Sequence, residues 1–425
     1  MTKKYFEQEF SATSTLFQNS FSELDISNVD ESDTLLFEKM QTVFFLGQLL
    51  GLPTLKSILV KFGITSSQVS INYKKLYKKL TINKIRVLYE YVFKTQVVHL
   101  LKEMASKDSS IWSKKRVTAV LDDSIFRQWL SELGRENDYF GSFFSGQYRA
   151  TTLGFKVVCF GLYIEDVFYP LFFDFVRKKG KADKKEPIQI AKKLVNRWGK
   201  LQEKLAKENS VLPSIHFSCD SGYSDVSLSE ECTNQSTSLI YISVPKKNHI
   251  IIVNNKKTNS KEYIDRVFLE KEKKHQEAQR HLKEEEKTPF TLRLKAFYQC
   301  QKREVVLLFF RLNGSKKVSV IYTPNLTVFA KTLRRHWFNR TYIEQFFKTL
   351  KHVLKISEPR TKNKEEFENK LLKFAFLAIE VQKIVRFIRR KCKQFKQKGF
   401  ISLQRILCSN KEILDLLQKQ INIKT

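Results

Sequence analysis

The spacing of apolar residues changes along the chain, and those changes divide it into five stretches. Residues 1–110 read as helical, with Leu35–Leu52 apolar at helical spacing. Within them, Thr54–Leu80 has the pattern of a helix-turn-helix. A first helix ends at Phe62, Gly63 supplies the turn, and Ser66-Ser67 caps a second helix. Residues 111–245 then switch to strand-sized apolar runs. Arg116–Leu121 is a strand that ends in Asp122-Asp123-Ser124, and Phe155–Ile164 with Val167–Val176 forms a hairpin that turns at Glu165-Asp166. Pro187–Lys204 has helical periodicity, Ile215–Cys219 is a strand ending in Asp220-Ser221-Gly222-Tyr223, and Leu239–Val244 is a further strand. This order predicts a mixed α/β domain.

Residues 246–322 interrupt the scheme. A charged helix, Phe268–Lys287, lies between β-rich pieces, with strands over Thr291–Tyr298, Glu304–Leu312 and Lys317–Tyr322 and a turn at Asn313-Gly314. The pattern is that of an insertion before the domain's last helix, which falls in residues 323–356. In residues 357–425 two more helical stretches, Phe367–Ile388 and Leu403–Ile421, flank the basic run Arg389–Lys398. Those helices either cap the core or help to pair two subunits.

Charge sharpens the picture. Lys and Arg number 76 against 44 Asp and Glu, a formal net charge of +32. The first 50 residues are acidic, so the excess lies downstream. Such an excess repels itself unless a polyanion neutralises it, which makes nucleic acid the leading partner. Lys74, Lys75, Lys78 and Lys79 follow the second N-terminal helix, where they either reach DNA phosphates or form a solvated face of an ordinary helical hairpin. No apolar run is long enough to span a membrane, and no secretory leader is expected. The six cysteines show no CxxC pair and no zinc-like spacing, and Gly at 13 of 425 leaves no Gly-rich phosphate loop.

The chemistry gathers at three acids. Wound at about 100° per residue, His336–Ile356 puts Trp337, Glu344, Lys348 and Lys351 within about 80° of Arg340, with the large apolar residues on the remaining face. One carboxylate thus projects from a cluster of cations and an indole. Taken alone, this helix reads as a salt-bridged solvent face. Asp122 or Asp123 at one strand end, and Asp220 at another, change the picture, because carboxylates on adjacent strand ends converge with a glutamate on a packed helix. Three carboxylates without His or Cys suit hard Mg²⁺ or Mn²⁺.

The segment Trp337-x2-Arg340-x3-Glu344-x6-Lys351 resembles the YREK signature of DDE transposases from bacterial cut-and-paste insertion sequences. Cys219-Asp220-Ser221-Gly222-Tyr223-Ser224 resembles that family's second-aspartate motif. Asp122-Asp123-Ser124 is similar to its first, where the catalytic Asp directly precedes Ser or Thr, so the resemblance favours Asp123. Thr323-Pro324-Asn325-Leu326 resembles the lead-in to the final helix. The likeness covers residues 115–356, with Trp337 standing where the signature has Tyr.

The resemblance implies an RNase H-like core: a mixed five-stranded sheet with flanking helices, interrupted by a β-rich insertion and joined to helical N- and C-terminal regions. It implies that Asp123, Asp220 and Glu344 bind two Mg²⁺ or Mn²⁺ ions. Arg340 and Lys351, with Trp337 and Lys348 beside them, would contact DNA. The implied activity is cleavage of transposon ends and joining of the 3′-OH to target DNA. The implied partners are double-stranded terminal inverted repeats and target DNA, held by a homodimer on DNA. The implied setting is the bacterial cytoplasm, at the nucleoid. An RNase H-like nuclease and a domesticated, inactive DNA-binding relative are the competing expectations.

Overall fold

A computed structural model describes residues 97–98, 101–102 and, with interruptions, 117–382. The helix-turn-helix pattern at Thr54–Leu80, its lysines Lys74, Lys75, Lys78 and Lys79, the Asn313-Gly314 turn and the basic run Arg389–Lys398 lie outside the described residues.

The first sheet is built on β1 (Thr118–Arg127), which pairs antiparallel with β3 (Ala150–Ile164) along its whole length, from Thr118 opposite Tyr163 to Arg127 opposite Gly154. On its other side β1 runs parallel to β5 (Ile215–Cys219), and β5 parallel to β6 (Leu239–Ile242). The outer edge of β3 is shared by β2 (Phe140–Ser145) and β4 (Val167–Phe175). Between β4 and β5 the chain crosses over through α1 (Pro187–Lys207), and between β5 and β6 through α2 (Val226–Thr233). Three antiparallel strands followed by two parallel strands, each reached through a helix, make the order β4-β3-β1-β5-β6, with β2 added beside β4. That is the RNase H-like α/β arrangement, and the fold class expected from sequence holds.

Each element follows from its residues. In α1 Pro187 occupies the first turn, where its missing N–H costs nothing, and the Gln189 side chain accepts from the Glu186 backbone N–H at 3.3 Å. Its apolar stripe (Ile190, Leu194, Val195, Trp198, Leu205) is buried against the sheet. Trp198 is fully buried and satisfies its indole N–H on the Thr237 carbonyl at 3.2 Å. The β3–β4 turn places both Glu165 and Asp166 at positive φ, 49° and 70°, the twist that a two-residue hairpin requires.

The second sheet runs β11-β10-β9-β7-β8 and is antiparallel throughout: β7 (Ile250–Val253), β8 (Lys256–Asn259), β9 (Thr291–Tyr298), β10 (Arg303–Arg311) and β11 (Val318–Thr323). The helical pieces α3 (Ser260–Tyr263) and α4 (Leu269–Ala278), joined by a π-helical turn, intervene between β8 and β9. The charged helix expected over Phe268–Lys287 is therefore shorter, with its regular part ending at Ala278. The two sheets meet where Ser243, just past β6, exchanges backbone hydrogen bonds with Tyr322 of β11 at 2.8 and 3.1 Å. Behind that bridge Tyr241, Tyr298 and Tyr322 are fully buried and pack on one another. The Tyr322 hydroxyl lies 2.9 Å from Ser224 Oγ and accepts from the Gln301 amide at 3.1 Å. The insertion thus shares the core of the first sheet.

After β11 the chain enters α5 (Ala330–Asn339), continues through helical Arg340 into α6 (Thr341–Lys348), and widens into a π-helical turn over Thr349–Val353. The single regular helix expected over His336–Ile356 is instead this composite. Farther on, Phe367 stacks on Phe155 at 4.5 Å, and Leu371, Leu372, Ala375, Ala378 and Ile379 are buried in the same core. The described start of the C-terminal region caps the first sheet. Among the described residues no helix is long and apolar enough to cross a membrane.

Gly161 marks the bulge at which the β3–β4 register shifts, and a Cβ there would stand 2.3 Å from the Tyr169 carbonyl oxygen and 2.5 Å from the Phe168 ring. Gly161→Ala should cost about 1–3 kcal/mol of stability, read as a lowered urea midpoint. An unchanged midpoint would show that the bulge absorbs the methyl group.

Candidate functional site

The site begins where β1 parts from β5. Their parallel ladder ends at Leu121 opposite Cys219, and the next residues on the two strands are Asp122 and Asp220. Sequence alone ends the first strand before the aspartates. In the structure β1 continues to Arg127, because β3 still pairs with it there. Asp122 and Asp123 are therefore held by backbone hydrogen bonds to β3 while their β5 side is open. The carboxyl ends of parallel strands are where α/β sheets hold their ligands.

Successive strand residues point to opposite faces, and the two aspartates meet different partners. Asp122 faces the composite helix: Arg340 Nη1 stands 3.1 Å from its Oδ2. The other end of that guanidinium reaches Glu344 Oε1 at 2.8 Å, and the group lies over the Trp337 ring at 4.7 Å from its centroid. One arginine thus links the strand acid to the helix acid. Asp123 instead accepts from the Tyr223 hydroxyl at 2.7 Å and pairs with Lys156 Nζ at 3.2 Å. The Asp220 carboxylate has no hydrogen-bond or ion-pair partner among the described residues, although its backbone carbonyl accepts from Ser243 Oγ–H at 3.1 Å and from the Tyr223 N–H at 2.9 Å. These backbone contacts fix the turn after β5 and aim Tyr223 at Asp123.

The electrostatics follow from burying like charges together. Burial pushes the Asp122 carboxyl up to about 7. Arg340 pulls against that rise, while Asp123 and Asp220 add to it. Lys351, in the π-helical turn, is half-buried with its ammonium 5.3 Å from the Phe126 ring centroid; burial lowers it to about 8, against the pull of Asp123 and Asp122. Among the described residues no group of three His, Cys, Asp or Glu side chains is gathered closely enough to hold a metal ion as it stands, and the Arg340 guanidinium lies between Asp122 and Glu344.

No family model matches the chain, and no curated protein matches it. Among solved structures it is similar to a piggyBac transposase synaptic complex with hairpin DNA, at a TM-score of 0.41 and 9% identity over 96% of this chain and 78% of that one.

Of the residues singled out from sequence, Trp337, Arg340 and Glu344 share one helix face and touch in series. Lys351 is drawn into the fold beside the aspartates instead of lying on the solvent face. Lys348 is exposed. Sequence reasoning missed the Tyr223–Asp123 bond, although Tyr223 stands in the quoted motif, and it missed Lys156, whose partner lies across the β1–β3 ladder.

It also missed what anchors α5. His216 of β5 and His336 of α5 stack with ring centroids 3.9 Å apart and planes 7° from parallel. Thr118 Oγ1 of β1 accepts from the Asn339 amide at 2.8 Å and lies 2.6 Å from His336 Nδ1. Burial lowers His336 to about 2, with His216 and Arg335 adding to the shift, and lowers His216 to about 4. Two neutral rings and a hydroxyl therefore tie the helix of Arg340 to the two strands of the aspartates.

A histidine held neutral in the fold takes up a proton on unfolding below its ordinary value of about 6.5. Its contribution is complete above pH 6.5 and declines as the pH falls. For His336 the loss between pH 7 and pH 5 should be about 2 kcal/mol, seen in urea unfolding at the two values. His336→Gln should flatten that part of the profile. An equally steep decline in the variant would assign the acid sensitivity to other groups.

Proposed function

We propose that the chain is a DNA transposase that cuts transposon ends and joins the freed 3′-OH to target DNA. The carrying observation is the Asp122–Arg340–Glu344 chain at the open ends of β1 and β5, beside Asp220. It links Trp337, Arg340 and Glu344 of the YREK-like segment to the first aspartate motif, and that segment is the ground for the finer reading of a bacterial cut-and-paste element.

The donor set fits a hard divalent cation. Asp122, Asp220 and Glu344 offer only carboxylate oxygens, and the nearby Cys219 thiol is buried and directed at the Tyr223 and Ile242 carbonyls. Among the described residues the Asp220 carboxylate has no donor to displace. These three would hold Mg²⁺ or Mn²⁺, two ions being the expectation. Bound there, the metal supplies an activated oxygen nucleophile and stabilises the leaving oxygen of a phosphodiester. Asp122 is preferred here to Asp123 as the strand ligand, because Asp122 shares Arg340 with Glu344 while Asp123 is already satisfied by Tyr223 and Lys156. In that role Asp123 positions Tyr223 and the turn that carries Asp220. Arg340 and Lys351 would hold phosphate oxygens of the strand being cut, where fixed charge favours the transition state. Trp337 packs against the guanidinium and offers an indole N–H in place of a tyrosine hydroxyl. DNA is the proposed macromolecular partner, with two chains pairing on two ends.

Purified protein, its flanking end DNA and Mg²⁺ should give cleaved ends and strand-joined products on denaturing gels. Asp122→Asn, Asp220→Asn and Glu344→Gln should each lower cleavage by roughly 1,000-fold or more, while Asp123→Asn should lower it only about 10-fold. If Asp123→Asn is the dead variant and Asp122→Asn still cuts, the strand ligand is Asp123. Cleavage without strand joining would make the chain a nuclease. An absence of Mg²⁺-dependent cleavage from the unaltered protein would overturn the reading.

A further inference from the structure

The helix that carries Arg340 has a second polar face. Around α5 and α6, Trp337 and Glu344 lie on the Arg340 side, whereas Lys331, Arg334, Phe338 and Tyr342 lie on the opposite side, by the helical periodicity of about 100° per residue. That opposite side walls a pocket of about 440 Å³. Lys331, Arg334 and Arg335, at i, i+3 and i+4, line it from one helix. Tyr163 and Asp166 line it from the β3–β4 hairpin, with Phe338 and Tyr342 between.

Three cations meet one carboxylate there, and the carboxylate is turned to other partners. Asp166 Oδ1 accepts from the Tyr163 hydroxyl at 2.8 Å and from the Tyr342 hydroxyl at 3.0 Å. Arg334 is held by packing, with its guanidinium 5.3 Å from the Phe310 centroid and 5.6 Å from that of Phe338. Arg335 is more telling. Its Nε is buried and has no hydrogen-bond partner among the described residues, and its charge adds to the lowering of His216 and His336, which stay neutral. A buried N–H without an acceptor costs free energy until an acceptor oxygen arrives. Arginine's fork matches phosphate oxygens, and aromatic walls suit a sugar-phosphate strand lying against them. The sequence has no Gly-rich loop of the kind that cradles a free nucleotide.

On the DNA-processing reading above, we propose that this pocket grips phosphodiester groups of DNA, as a backbone contact on the helix face opposite Arg340 and Glu344. It would be blind to sequence and separate from the strand being cut.

The test uses the full chain with a fluorescent duplex of arbitrary sequence, its affinity measured across a salt series. Lys331→Gln with Arg335→Gln should weaken binding about 5- to 20-fold and reduce the slope of log K against log salt by about 1 to 2. Lys331→Gln alone, at an exposed position, should reduce the slope by about 1 and guards against a double variant that fails to fold. Arg335→Lys should recover part of the loss. Unchanged affinity and slope in variants of a protein that does bind DNA would overturn the pocket alone. If the unaltered protein binds no DNA, the transposase reading falls with it. A third arm titrates dAMP: binding that Lys331→Gln abolishes, with duplex affinity untouched, would assign the pocket to free nucleotides and overturn the proposal.

Discussion

The parallel ladder between β1 and β5 stops after four residue pairs, while the antiparallel ladder between β1 and β3 runs on for six more. That unequal pairing is the constraint on which the site depends. Backbone hydrogen bonds to β3 keep Asp122 and Asp123 extended and rigid, and the missing pairing on the β5 side leaves room for Asp220 and for the helix that brings Arg340. Had β5 continued alongside β1, the acids would face a closed sheet. Had β3 stopped with β5, they would sit on a loose turn with no fixed direction.

A site made this way concentrates negative charge in a partly buried place, and the surrounding cations answer it. Arg340 spans Asp122 and Glu344, Lys156 pairs with Asp123, and Lys351 sits within the field of both aspartates at the expense of its own hydration. Removing one charge of such a network leaves another uncompensated in a medium of low polarity, which costs more than a surface pair of the same geometry. The same network leaves Asp220 without an internal partner and Arg340 Nε buried without one among the described residues. In the proposed function these are the groups that a metal and a phosphate would engage.

The second sheet contributes at a distance. It joins the first through the Ser243–Tyr322 backbone pair and the packed tyrosines behind it, and Ser243 also holds the Asp220 carbonyl while Tyr241 donates to the Tyr223 carbonyl at 2.6 Å. The turn that carries Asp220 is therefore braced from β6, the strand to which the insertion is tied. The stacked histidines brace α5 against β1 and β5 from the other side. Two buried polar clusters, one around Ser243, Tyr241 and the Asp220 turn and the other around His216, His336 and Thr118, thus fix the two halves of the acidic site.

Much of this was legible in the residues themselves. Alternating and continuous apolar runs located β1, β3, β4, β5, β6 and β9–β11, and the Glu165-Asp166 turn, because those strands are long and buried enough to leave an unbroken pattern. The register of Trp337, Arg340 and Glu344 on one helix face was also fixed locally, since helical periodicity is a property of neighbouring residues. The short strands β2, β7 and β8 escaped notice because four to six residues are too few to show a period. Tertiary structure alone decided the rest. The extension of β1 through the aspartates depends on its partner β3, and the choice of Asp122 over Asp123 as the neighbour of Arg340 depends on which sheet face the helix covers. The inward course of Lys351 follows from a π-helical turn that no pattern announces. The pairing of His216 with His336, 120 residues apart, exists only because α5 lies across β5, and a sequence has no way to signal contact between surfaces that folding alone brings together.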